Sequence, residues 1–406
     1  MYPRANRLSN RAPKLSISCS HYPNCYGCPF IDLPYSEQLA RKRQRVLDAF
    51  GRYPMLADAE ILPVVPSPKT LGYRARVKLV VRKTRDQVMT GLYVPGSHRV
   101  SDISSCSVHP KPVNAVVRYL KRKILELGIA PYDERNDSGD LRYLDFRYGF
   151  ASQTLVVMLV TRHRRFPQGK SLAHGLKRQF PFITGVIQNI NEEHGNVIWG
   201  KQSQVLLGSD LLVEKFDHLQ LGFPADVFSQ ANPLTAAKIY EHVLVLARLT
   251  GRERILDLYC GAGPISLSLA NGAQLVWGID DHPASIAAAQ GNARRNDVVN
   301  CRFMASDVGQ GITAAMRNLR EVSLIVMNPP RKGVQPGALD AIIAANAPRV
   351  IYVSCDPATL ARDLGRLISD GYSLSRVQPF DMFPQTEEVE TVMLLTKNQR
   401  NSHRAC

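Results

Sequence analysis

The 406-residue chain carries 51 lysines and arginines against 35 acidic side chains, a formal charge of +16, with a hydrophobic fraction of 45%. That fraction excludes a disordered polycation, no apolar run approaches the ~20 residues of a membrane helix, and the leading segment lacks the apolar core of a signal peptide. All of the surplus lies in residues 1–212, with 32 basic and 16 acidic side chains, whereas residues 213–406 carry 19 of each; one part that holds a polyanion and another that does chemistry is the implied division.

Residues 1–18 are Arg-rich and free of acid, with Arg4, Arg7, Arg11 and Lys14. Pro3 and Pro13 interrupt any amphipathic helix, so the segment reads as a solvated basic tail of a cytoplasmic protein rather than a targeting peptide. Three cysteines follow as Cys19-x5-Cys25-x2-Cys28, with Gly27 and Pro29 keeping the stretch irregular enough to wrap a metal centre. Cys106 is the one other cysteine of the basic half. Four thiolates suit zinc or an iron–sulfur cluster. Zinc sites usually come as two paired knuckles, so three clustered thiolates plus a remote one favour a [4Fe–4S] cluster. His21 and His109 nearby read as surface histidines.

A helix is expected over residues 36–50, starting at Ser36. Residues 72–100 alternate basic and apolar side chains, placing Arg74, Arg76 and Lys78 on one strand face that could track phosphates. A basic helix over 111–127 and strands at 141–148, 154–161, 185–191 and 197–199 complete an antiparallel α+β arrangement spanning residues 19–222.

From residue 223 to 406 the texture becomes that of a parallel α/β sheet. Seven strands are expected, at 254–259, 275–280, 301–305, 323–327, 349–354, 374–380 and 389–397, the last two forming an antiparallel edge. In ILDLYCGAGPISLSLA, Gly261 and Gly263 let backbone approach a ligand. Asp280, at the tip of the next strand, can bind ribose hydroxyls. Ser266 replaces the third glycine of a dinucleotide fingerprint, which favours S-adenosylmethionine (AdoMet), a cofactor without pyrophosphate. LIVMNPPRKG ends a buried strand in a rigid Asn328-Pro329-Pro330 turn. Arg331 stands where amine methyltransferases carry a base-stacking aromatic.

RVIYVSCDPATLARDL puts Cys355 between a buried strand and a helix capped by Asp356 or Thr359, where free amides would stabilise a thiolate. Cys260 and Cys301 read as structural and Cys406 as a terminal thiol. An AdoMet enzyme needs a thiolate if its acceptor is C5 of a pyrimidine. Addition to C6 makes an enolate whose C5 attacks the methyl group, and a carboxylate then removes the C5 proton. Glu387, Glu388 and Glu390 lie near the start of the last strand.

Together these blocks resemble the RNA 5-methyluridine methyltransferase family, and more narrowly its iron–sulfur-containing bacterial members that methylate uridine in 23S ribosomal RNA. The similarity spans residues 19–397. It rests on the cysteine spacing and on VFSQANP, DLYCGAG, MNPPRKG, VSCDPATLARD and DMFPQT. The resemblance implies a class I AdoMet-dependent fold with an N-terminal α+β iron–sulfur RNA-binding domain. It implies Cys355 as nucleophile and Glu390 as base, and Gln230, Tyr259, Asp280, Asn328 and Asp307 as cofactor-binding residues. Cys19, Cys25, Cys28 and Cys106 would hold a [4Fe–4S] cluster. Glu388 stands where the family usually has a histidine, and Pro264 where some members have an asparagine. The first cluster cysteine lies so early that no room is expected for the extra N-terminal RNA-binding barrel of some members. The expected partner is RNA bound by a monomer, ribosomal first and transfer RNA second. The rival of another class is a non-catalytic iron–sulfur RNA-binding protein.

Overall fold

The computed structural model describes residues 17–84, 87–195, 197–319 and 321–398. Arg4, Arg7, Arg11 and Lys14 of the basic tail, and Cys406, lie outside them. Among the described residues, no helix is long and apolar enough to cross a membrane.

The first half builds a seven-stranded sheet in the order Val100–Asp102, Val88–Tyr93, Arg76–Lys83, Leu141–Tyr148, Leu155–Thr161, Ile183–Ile190, Gln202–Gly208. Neighbours run antiparallel except Leu155–Thr161 and Ile183–Ile190. That parallel pair needs a crossover. The helix Gly169–Gln179 supplies it, burying Leu172, Ala173 and Leu176 on the sheet. The helix Lys111–Glu126 buries Val113, Val116, Val117, Leu120 and Ile124, a helical stripe, on the same core. Residues 197–199 are irregular rather than a strand. The seventh strand is Gln202–Gly208, whose exposed QSQVLLG has no alternation to reveal it.

A hairpin of Leu212–Phe216 and Leu219–Phe223 turns at Asp217 in a left-handed conformation (φ 51°). It buries Phe216, Leu219, Leu221 and Phe223 in the core of the second half. Packing thus joins the second half before residue 223.

The second half forms an eight-stranded sheet. Its order is Glu60–Ile61, Tyr372–Phe380, Glu390–Lys397, Arg349–Ser354, Leu324–Met327, Arg254–Leu258, Leu275–Asp280, Cys301–Ala305. Two features depart from expectation. The antiparallel strand Glu390–Lys397 is interior, between Tyr372–Phe380 and Arg349–Ser354. The edge beyond them is Glu60–Ile61, contributed by the first half and paired in parallel with Arg376 and Val377. Alternation along the strands separates two cores: Ile255, Val276, Leu324 and Val326 on one face, and Leu256, Ile279, Ile325 and Met327 on the other. Five helices of this half open on proline, at Pro233, Pro264, Pro283, Pro336 and Pro357. A preset φ at the first helical residue suits sharp strand-to-helix turns.

The helix Tyr35–Phe50 belongs to the same packing unit. Val46, Ala49 and Phe50 enter the second-half core with Leu56 and Ile61. Its N-cap is Pro34, without a side-chain bond, rather than Ser36. Lys42 is fully buried and ion-pairs with Asp381, while donating to the Phe383 carbonyl at 2.9 Å. The Tyr35 hydroxyl donates to the other Asp381 oxygen at 2.8 Å. The Gln38 amide donates to Gln385 Oε1 at 2.8 Å. Side chains of the first half therefore hold the segment that leads into the last strand.

Candidate active site

A cavity of about 1390 Å³ opens where Arg254–Leu258, Leu275–Asp280, Leu324–Met327 and Arg349–Ser354 end, against residues 223–230 and the first-half sheet. It lies at the switch in strand order beside Arg254–Leu258, the usual ligand position in open α/β sheets. Gln230, Tyr259, Asp280, Asn328, Cys355 and Glu390 all line it. Asp307 does not. Its Oδ1 accepts the Gln310 N–H at 3.2 Å, at the start of the helix Val308–Leu319.

The turn after Arg254–Leu258 is left-handed at Tyr259 (φ 60°), Gly261 (φ 56°) and Gly263 (φ 83°). A Cβ at Gly261 would meet nothing within 4 Å, so its side of the turn is open. Asp280 braces this loop: Oδ2 accepts the Gly261 N–H at 2.9 Å and Oδ1 the His282 N–H at 3.0 Å. Each oxygen keeps a lone pair for a ligand. Burial pushes the Asp280 carboxyl above its usual range. Ser266, at the position of the missing glycine, donates to Asp257 at 2.5 Å. Asp257 is fully buried, and burial pushes it up to about 7. The Tyr259 hydroxyl lies in the cavity wall, with the Gln335 backbone as its hydrogen-bonding neighbour.

The Asn328 N–H donates to the Leu258 carbonyl at 3.2 Å, tying two strand ends together. The prolines deliver Arg331, whose carbonyl accepts from Thr359 Oγ1 at 3.1 Å. On the opposite wall, Arg147 Nη1 donates to the Val227 carbonyl at 2.5 Å and fixes the segment before Phe228 and Gln230.

Cys355 sits immediately before the N-cap of the helix Pro357–Ser369. Two of the amides expected to stabilise its thiolate are taken, since Asp356 Oδ1 accepts the N–H groups of Ala358 and Thr359, each at 2.9 Å; the Cys355 backbone itself still favours the thiolate. Burial pushes the thiol up to about 12, the Glu390 charge adds to this, and Arg331 opposes it. Glu390 begins the interior strand and is 7% exposed. Burial pushes its carboxyl up to about 8, with Arg331 pulling down and Glu388 pushing up. Glu388 is placed differently. Its carboxylate pairs with Arg331 at 3.0 Å and Arg45 at 3.6 Å.

Cys19, Cys25, Cys28 and Cys106 line a second cavity of only about 20 Å³, with His21, Ile31 and Ile103 among its walls. The Asn114 amide brackets Cys106, accepting from its N–H at 3.0 Å and donating to its carbonyl at 2.9 Å. A Cβ at Gly27 would meet Leu92 at 3.1 Å and the Cys25 sulfur at 3.6 Å, so the loop packs closely here. Burial pushes Cys28 up to about 12 and Cys106 to about 11. Among the described residues no group of three or more His, Cys, Asp or Glu is arranged to hold a metal ion. The four thiols share a cavity, and a bound centre would have to draw them in and release their protons. His109 is buried, not a surface histidine.

The family described as tRNA (uracil-5-)-methyltransferase matches residues 34–398. The chain belongs to this family. An uncharacterised RNA methyltransferase of Geobacter sulfurreducens is 40% identical over 388 residues, covering 96% of this chain and 78% of that protein. Another from Clostridium tetani is 34% identical over 391 residues, covering 96% and 85%. Among solved structures, the Pyrococcus abyssi tRNA (uracil-54, C5)-methyltransferase in complex with S-adenosyl-L-homocysteine superposes with a TM-score of 0.73 at 26% identity, covering 92% of this chain and 86% of that one. The protein is therefore an AdoMet-dependent RNA uracil-5-methyltransferase with the methyltransferase fold. The open Gly261 turn and the spare lone pairs of Asp280 suit a cofactor of that kind.

The sequence reading missed Trp199 and Phe228, which also line the cavity. No local signal marked them: Phe228 has no lysine or arginine between Lys215 and Lys238, and Trp199 has only Lys201 beside it.

Proposed function

We propose that this methyltransferase acts on a uridine of 23S ribosomal RNA, with Cys355 as nucleophile and Glu390 as base. The observation that carries the roles is the meeting of a thiol and a buried carboxyl in one cavity with Gln230, Tyr259, Asp280 and Asn328. Asp307 belongs to the same proposal as a residue behind the cofactor loop, its charge reaching the Tyr259 hydroxyl.

At rest both Cys355 and Glu390 hold their protons at neutral pH. A uracil taken out of its stack brings C6 to Cys355. The Glu390 carboxyl and the thiol both release their protons to water as the sulfur bonds to C6, and the ring electrons move toward O4. Arg331 lowers the cost of both negative charges, at the sulfur and at Glu390. AdoMet, when bound, supplies the methyl group that C5 takes up. Glu390 in its carboxylate form then accepts the C5 proton. The C5–C6 double bond re-forms, the C6–S bond breaks, and Cys355 leaves as thiolate. Glu388, held by two arginines, keeps Arg331 in place rather than taking the proton.

The basic residues 19–222 would grip the RNA and residues 223–406 would do the chemistry in a cytoplasmic monomer, with residues 35–61 packed on the catalytic side. Cys19, Cys25, Cys28 and Cys106 would hold a [4Fe–4S] cluster. When bound, it would supply four iron–thiolate bonds that tie the 19–28 loop to Cys106. Convergence of the four thiols on one cavity supports this. The cysteine pattern favours ribosomal RNA. The solved tRNA enzyme favours transfer RNA as the second reading.

The test is covalent capture of RNA containing 5-fluorouridine, which cannot lose its C5 substituent as a proton. The wild type should form an adduct that survives denaturation, and Cys355→Ala should form none. An adduct in that variant would refute the nucleophile. Mapping 5-methyluridine in ribosomal and transfer RNA of a deletion strain separates the two substrates.

A further inference from the structure

The strand face that carries Arg76 and Lys78 does not lie open as a phosphate track. Its Arg76 end lines the catalytic cavity, and Trp199 covers both Arg76 and Lys78. In the register of Arg76–Lys83 against Leu141–Tyr148, Arg76 sits opposite Arg147 and Lys78 opposite Asp145. Like charges directly across an antiparallel pair are destabilising. Further along the same face, Val80 and Tyr143 continue into an apolar cluster, and Arg82 beyond them pairs with Glu134 at 2.9 Å, so the cations next to the cavity form a group of their own.

The polar atoms of this cluster are poorly satisfied. Arg147 is 2% exposed, and its Nε and Nη2 have no hydrogen-bond partner. Arg76 Nε is also buried without one, and the buried Asp145 carboxyl has Trp199 as its side-chain hydrogen-bond partner. Such unmade bonds cost about 1–3 kcal/mol each and mark a place that expects another group. The Arg76 guanidinium lies 4.4 Å from the Trp199 ring centroid and 5.7 Å from that of Phe228. The Lys78 ammonium lies 3.9 Å from Trp199. Arg76, Trp199 and Phe228 line the cavity, and Phe228 is 60% exposed within it.

Charge identifies the missing group. Three cations face one carboxylate, Asp145. Asp226, at the cavity wall, interacts with Arg147 and still leaves a surplus of one positive charge. Burial first, and then the neighbouring Arg76 and Arg147, push Lys78 down to about 8, with Asp145 opposing. An anion between Arg76, Lys78 and Arg147 would relieve this, and the flanking rings suit the nucleoside attached to it.

We propose that Arg76, Lys78 and Arg147, under Trp199, form a subsite for an RNA backbone phosphate adjoining the uridine in the catalytic cavity. The proposal rests on the RNA uridine reading of the cavity. It adds that recognition of the reacting nucleotide includes a buried phosphate contact inside the active site, separate from the exposed basic surface.

Calorimetric binding of uridine and of uridine 3′,5′-bisphosphate to the full chain tests it. A charge-assisted contact should make the bisphosphate bind about tenfold or more tightly than uridine. Lys78→Met and Arg76→Gln should each erase most of that difference while leaving the affinity for S-adenosyl-L-homocysteine unchanged. Both positions are less buried than Arg147, and circular-dichroism melting checks that the variants fold. Equal binding of the two probes by the wild type overturns the subsite, as does a difference that survives in folded variants. Loss of S-adenosyl-L-homocysteine affinity in folded variants would assign the anion site to the cofactor's carboxylate and overturn the proposal too. The 5-fluorouridine adduct at Cys355 is an independent readout. Its absence alongside a tenfold phosphate preference would remove the nucleophile assignment and leave the subsite.

Discussion

Glu390→Gln separates the proton-accepting role of this side chain from its shape. Gln matches the neutral carboxyl in size, so the cavity wall is kept. Burial raises the Glu390 carboxyl from 4.5 to about 8. Between those values the unfolded chain has lost the proton while the folded chain keeps it, so the folded state binds more protons and wild-type stability falls as pH rises. The amide does not titrate and escapes that loss. Integrating the linkage from pH 5.5 to 7.5 gives about 2.5 kcal/mol by which the variant should gain on the wild type, levelling off above pH 8. Urea unfolding of both cofactor-free proteins at several pH values measures this. The same variant should form the 5-fluorouridine adduct normally. On ordinary uridine RNA it should accumulate a methylated covalent adduct, because the C5 proton has no acceptor. A stability difference independent of pH would refute the buried, protonated Glu390. Rapid turnover by the variant would refute its role as base and move attention to Glu388.

Three further outcomes follow from the same structure. Lys42→Met leaves the Asp381 carboxylate buried without its cation and should cost about 3–5 kcal/mol in urea unfolding; Lys42→Met with Asp381→Leu should recover most of it, and equal loss in both would count against the buried pair. Raising salt from 50 to 200 mM should weaken RNA binding steeply while leaving AdoMet affinity nearly unchanged, and equal sensitivity of the two would undo the division between a basic grip and a neutral pocket. Iron and acid-labile sulfide analysis of anaerobically purified protein should find about four of each per chain, lost in Cys28→Ser; zinc in place of iron would overturn the cluster assignment.

What was legible in the sequence depended on whether a local pattern carried its own boundary. Strands at Leu275–Asp280, Cys301–Ala305 and Arg349–Ser354 stand where short apolar runs placed them. Asp280, Asn328 and Cys355 were legible because each follows such a run inside a rigid turn. Glu60–Ile61 was not, since two residues carry no periodicity and become a strand only by pairing with Tyr372–Phe380. Lys42 could not be told from its neighbours in RKRQR, because its burial is set by Asp381 on a distant loop. The alternation around Arg76 and Lys78 correctly placed them on one face. Whether that face met solvent or a cavity depended on Trp199, whose position no local pattern specifies.

The clasp between Tyr35, Gln38, Lys42 and the 381–385 segment has a consequence for dissection. The methyltransferase motifs all lie after residue 223, which invites expression of that half alone. Such a fragment would present Tyr372–Phe380 as a naked sheet edge, open to pairing with other chains. It would also strand Asp381 in the interior without Lys42 or Tyr35. The catalytic motifs can be cut from the sequence as a contiguous block, but the folding unit cannot. A soluble methyltransferase fragment needs both the hairpin of residues 212–223 and residues 35–61 returned to it, the latter on the same chain or as a separate peptide.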